Sequence, residues 1–104
     1  MKIKLLKEVQ ILNYKFKMVY NRKESGGYFN FSTREIGIGL KHLKNNPEHV
    51  FMMLSHEIME VVTVATNTRY EDTSVHGDWK FFMNHKEFEN NMQIFSQVIF
   101  KFIG

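Results

Sequence analysis

His56, Glu57 and Glu60 stand in the stretch Met53-Leu54-Ser55-His56-Glu57-Ile58-Met59-Glu60-Val61-Val62, a His-Glu-x-x-Glu motif in an apolar run with no breaker. On a helix, residues four apart are separated by about 40° around the axis. His56 and Glu60 would therefore point the same way and could grip one metal ion. Glu57 lies between them on the same broad face, roughly 60° from Glu60 by the same geometry. It could hold a water beside that ion. An imidazole and a carboxylate are zinc ligands, and an acid next to them is the group that takes a proton from an activated water.

The bland alternative is a solvated helix face with ordinary charges. Two features weigh against it. No Lys or Arg occurs between Pro47 and Thr68, where a water-facing stripe would carry some. The wheel also places Val50, Phe51, Leu54, Ile58, Val61, Val62 and Ala65 on one face, with His56, Glu60 and Thr63 opposite, flanked by Met52, Met53, Met59 and Val64. Both faces are partly apolar, which predicts a central helix. A buried acid needs a partner, because an unpaired buried charge costs several kcal/mol. A divalent metal is one such partner.

The elements that must position these residues read from the pattern. From Val9 to Tyr20 apolar and polar residues alternate, with Leu12, Tyr14, Phe16, Met18 and Tyr20 on one face, which predicts a half-buried strand. Residues 2–8 favour strand as well. Asn21 to Gly27 is a turn by composition. Tyr28–Phe31 and Glu35–Leu40 read as further strands, with Gly37 and Gly39 on one side of the latter, where a backbone could approach closely. Asn45-Asn46-Pro47-Glu48 is a helix start, and the central helix is predicted from about Pro47 to Thr66, ended by Asn67 and Thr68. Arg69 to Asp78 reads as a polar loop and Trp79–Met83 as short and extended. Asn84-His85-Lys86-Glu87 has the capping-box form. It opens a last helix to about Phe102, with a stripe of Phe88, Met92, Phe95, Ile99 and Phe102. Strands, central helix, loop and second helix predict an α+β fold. Both helices would pack on one face of a small antiparallel sheet in one domain spanning residues 1–104.

Composition removes several chemistries. The 104-residue chain has no cysteine, so disulfides, thiolate zinc sites and thiol catalysis are excluded. That suits a cytoplasmic protein. No apolar run approaches a membrane span. Residues 1–44 carry ten Lys+Arg against three Glu, and residues 45–104 carry four against eight Asp+Glu. The lysines of the basic half alternate with apolar residues, which favours a solvated sheet surface over nucleic-acid binding.

On these residues the chain resembles a minimal zincin-like metalloprotease domain of the type found in phage and bacterial genomes. The resemblance lies in the strand Glu35–Leu40, the capped helix with Leu54-Ser55-His56-Glu57-Ile58, and a downstream helix beginning near a third candidate ligand. It implies that Glu35–Leu40 lines a cleft for an extended peptide, that His56 is a zinc ligand and that Glu57 is the general base. The family's second motif His is Glu60 here. With His85 as third ligand the set is His56, Glu60 and His85, two imidazoles and a carboxylate, the inventory of known catalytic zinc sites. His76 is the rival third ligand, and Glu89 could support or replace His85. The expected function is a zinc-dependent peptidase acting on a peptide or protein. The alternative is a non-catalytic protein-binding factor on a degenerate scaffold.

Overall fold

The computed structural model describes residues 1–72 and 78–104. The fold is α+β, with strands β1 (Glu8–Ile11), β2 (Tyr14–Asn21), β3 (Gly27–Asn30) and β4 (Glu35–Gly39) before helix α1 (Pro47–Ala65). A ribbon of β5 (Arg69–Asp72) and β6 (Asp78–Phe81) follows, then helix α2 (His85–Ile99) and a 3-10 turn at Phe100–Phe102. Among the described residues no helix is long and apolar enough to cross a membrane.

The alternating stretch from Val9 to Tyr20 is two strands. The chain turns at Leu12, whose φ of 56° is left-handed, so Val9 and Ile11 face Phe16 and Tyr14 across an antiparallel pair. The sheet is mixed, in the order β1-β2-β4-β3, and so differs from the antiparallel sheet expected. β2 and β4 are parallel, Met18 opposite Ile36 and Tyr20 opposite Ile38. β3 folds back on the outer side of β4. The cause lies in the strands' own composition. β4 buries Ile36 and Ile38 on one face and carries only Gly37 and Gly39 on the other, so it has nothing to hold out to water and takes an interior place. Glu35–Leu40 is therefore not the cleft strand; β3 is the open edge on that side.

The two glycines do allow close approach. The loop after β2 crosses the end of β4, where Lys41 donates to the Glu24 carbonyl (3.0 Å) and Gly39 to that of Gly26 (2.7 Å). A Cβ on Gly39 would collide with the Glu24 backbone, and one on Gly37 with the Tyr28 ring.

Helix α1 starts and stops as its sequence dictates. The Asn46 side chain caps the His49 N–H, and Pro47 opens the first turn. At the other end Asn67 turns left-handed (φ 57°), while Thr68 donates to the Thr63 carbonyl (2.9 Å) and Asn67 to that of Val64 (3.1 Å). That pair of bonds is a Schellman ending. Val50, Leu54, Ile58, Val61 and Val62 bury against Val9, Ile11, Phe16, Met18, Ile36 and Ile38, with Val98, Ile99 and Phe102 closing the core. Each such side chain contributes about 1.5–3 kcal/mol of burial.

Two expectations fail downstream of α1. Arg69–Asp72 is a strand paired with Asp78–Phe81 rather than loop. The capping box at Asn84 and Glu87 forms, but the α2 stripe enters the core only at its C-terminal end. Ile99 and Phe102 are buried there, whereas Phe88 and Met92 are exposed.

Gly39→Ala should lower stability by about 1–3 kcal/mol, because backbone must move to admit the methyl. Gly26→Ala, where nothing lies within 4 Å of the added carbon, should change it little. Urea denaturation of both variants checks the contrast.

Candidate functional site

Glu57 lies at the edge of the face that α1 turns to the sheet, about 60° of helical rotation from Leu54, and is 5% exposed. It is not on the outward face with His56. Room for it comes from β3: a Cβ on Gly27 would stand 3.0 Å from Glu57 Cγ and 3.2 Å from Oε2. Among the described residues nothing donates a hydrogen bond to the Glu57 carboxylate. Burial pushes its pKa above the ordinary glutamate value; His56 and Arg69 pull it down and Glu60 pushes it up.

His56 and Glu60 do share the outward face. His56 Nε2 lies 3.9 Å from Glu60 Oε1, with the imidazole 60% exposed and the carboxylate 24%. Two atoms bound to one zinc at 2.0–2.2 Å stand about 3.3 Å apart in a tetrahedral site. A small change of rotamer would bring the pair to that separation. The other oxygen, Oε2, accepts from Arg69 Nη1 at 3.1 Å.

Arg69 has no place in the motif, and the ending of α1 delivers it. The left-handed turn at Asn67 sends the chain back along the helix, so the first residue of β5 reaches a glutamate nine positions earlier. The guanidinium is held on two aromatic faces, 4.2 Å from the Trp79 centroid and 5.2 Å from that of Phe29. Stacking of this kind strengthens when water is excluded, and this side chain is 11% exposed.

The remaining candidates lie elsewhere. His85 pairs with Glu89 one turn along α2, Nε2 to Oε1 2.7 Å, and both side chains are largely exposed. Its distance from His56 can be read along α2. Asn91 donates to Thr68 Oγ1 (3.0 Å), just past the end of α1, and Phe95 borders the groove that His56 and Glu60 line. His85 lies on the other side of Asn91, about 15 Å of helix axis from Phe95. Among the described residues no three His, Asp or Glu side chains form a metal-binding group. His76 lies outside the described residues. His42 and His49 stack edge to face at 5.1 Å, and His49 contacts the Ser25 carbonyl, so the pair ties the start of α1 to the loop between β2 and β3.

Beside His56 and Glu60 runs a groove of about 450 Å³ walled by Met52, Met59, Phe81 and Phe95. It is apolar apart from Ser55, His56 and Glu60. A second hollow, about 360 Å³, lies around Gly37, Gly39 and Tyr28, with Gly27 in its lining. Compared with known proteins, the chain matches no family model, no curated protein and no solved structure.

Glu57 carries a direct test by pH. An acid whose pKa is higher folded than unfolded binds protons more tightly in the native state, so its ionisation costs stability as pH rises through that range. Glu57→Gln should therefore be more stable than wild type at pH 7–8. The gain should vanish as pH falls below the ordinary glutamate value of about 4.3. A gain independent of pH, measured by denaturation at several pH values, would place its origin elsewhere.

Proposed function

We propose that the protein is a zinc-dependent hydrolase acting on peptides, with Glu57 as its general base. The observation that carries the reading is the His56–Glu60 pair, 3.9 Å apart on one helix face, with an acid on the adjoining flank of the same turn. His56 and Glu60 would hold the ion. Arg69 fixes the far oxygen of Glu60 and so leaves Oε1 directed at His56. Bound there, zinc supplies Lewis acidity and a water of pKa near 7. Glu57 would accept a proton from the attacking water and return it to the leaving amine. A peptide could lie along β3, whose open edge offers backbone donors and acceptors. Gly27 and Phe29 on its inner side would keep the peptide close to Glu57 and Arg69.

A second reading has its own support. Arg69 already balances Glu60, and the exposed apolar side chains on α2 suit a protein surface. On this reading the chain is a non-catalytic protein-binding factor, and the motif is a packed remnant.

Metal titration separates the two. Protein purified without a histidine tag should take up one zinc per chain, and His56→Ala should weaken uptake by at least about tenfold. Glu57→Gln should retain zinc and lose peptide cleavage by about 10²–10⁴-fold, since the amide cannot accept a proton. A wild-type protein that takes up no zinc leaves the second reading standing.

A further inference from the structure

The apolar stripe of α2 continues past the body of the protein. Ile99 is buried, whereas Met92 and Phe88, two and three turns nearer the N-terminus on the same side, are 37% and 48% exposed. Every residue from Asn84 to Asn90 is exposed, so the first turns of α2 overhang. His85 borders the overhanging stripe. The apolar surface runs on across the groove that Phe95 shares with His56 and Glu60, through Phe81 (51% exposed) and Met52 (58%), with Trp79 (42%) on the same face of β6 as Phe81.

The extent of this surface suits one kind of occupant. Five large side chains roughly half exposed, at about 200 Å² each, leave some 450–500 Å² of apolar area. A standard interface covers about 800 Å² per partner, and a homodimer interface is about 65% apolar. The patch nearly fills that requirement, with Phe88 and Met92 on α2, Phe81 and Trp79 on β6 and Met52 on α1 forming its parts.

We propose that a second copy of this chain covers the patch, α2 against α2 in antiparallel order about a two-fold axis, and that each copy's His85 completes the other's His56–Glu60 pair. The register follows from the exposed stripe. With the axis level with Asn90, midway between Phe88 and Met92, Phe88 meets the partner's Met92. Glu87 then lies opposite the partner's Gln93 and Glu89 opposite the partner's Asn91, so no like charges face across the axis. The same register sets His85 opposite the partner's Phe95, on the border of the groove where the partner's His56 and Glu60 stand. Within one chain, about 15 Å of helix separates His85 from that groove; across the axis it is a neighbour. Release of Glu89, an exposed partner one turn away, frees the imidazole.

The shared site rests on the metallohydrolase reading, whereas the dimer does not. Light scattering on the eluted protein should give the mass of two chains. Phe88→Glu, at an exposed position, should give a folded monomer with unchanged circular dichroism and reduced zinc uptake. The decisive experiment mixes His56→Ala and His85→Ala chains, each unable to hold zinc alone. Unfolded together and refolded, half of the dimers are mixed, and each mixed dimer has one intact site of two. Zinc uptake should return to about a quarter of the wild-type level per chain. A wild-type monomer overturns the proposal, and if that monomer binds zinc the proposed function survives it. A dimer whose mixed variants recover no zinc overturns the sharing of His85. A dimer that takes up no zinc in wild-type form overturns the metal reading and the shared site with it.

Discussion

Glu57 sits where α1 would otherwise present a further aliphatic side chain to the sheet. Val50, Leu54, Ile58, Val61 and Val62 make the apolar face, and β3 offers Gly27 opposite the carboxylate at its edge. The close approach of helix and edge strand sets the rest of the site. It buries Glu57, which raises its pKa. It brings Phe29, two residues along β3, to the flank of α1 where Arg69 arrives from the other direction. A side chain at Gly27 would press on the Glu57 side chain, which would have to give by a few tenths of an ångström.

Arg69 ties the second half of the chain to the first. Its bond to Glu60 spans the end of α1, and its stacking joins β3 to β6 through Phe29 and Trp79. A desolvated guanidinium needs its donors used, and the geometry gives it a carboxylate on one side and two π faces for its plane. The β5–β6 ribbon is only two strands, too small to be stable by itself. Docking Arg69 against α1 and β3 holds the start of that ribbon. Phe82 N–H to the Thr68 carbonyl (2.9 Å) and Asn91 to Thr68 Oγ1 hold its return.

Local signals were legible because they are local. The Asn46-Pro47 start, the Asn67 ending and the Asn84–Glu87 capping box are each decided by residues within one turn. Strand partners are not local, so β4's interior place escaped a reading that paired strands in chain order. So did the turn at Leu12: the inward phase changes there from Val9 and Ile11 to Phe16 and Met18, and Leu12, itself apolar, masks the break. The His56–Glu60 pairing followed from helix geometry. Glu57's inward direction did not, because 60° of helical rotation lies within either face and only the opposing Gly27 decides it. Arg69 left no periodic signal; the one hint was an α1 without basic residues, whose acids had to find a cation elsewhere. His85 was drawn to the motif by chemistry alone, and the level at which α2 crosses α1 set it apart.

The charges around the motif show what an ion would change. Arg69 pairs with Glu60, and among the described residues Glu57 has no hydrogen-bonded cation of its own. Burial raises the pKa of Glu57, and among the described residues no hydrogen-bond donor reaches its carboxylate. A divalent cation on His56 and Glu60 would act against that shift, because the largest local charge governs the titration of its neighbours. Ionised Glu57 would then neutralise half of the added charge. The same burial that makes an ionised Glu57 costly thus makes it responsive to a cation. A motif kept only for packing would gain nothing from an acid at this position, where an aliphatic residue would serve the sheet better.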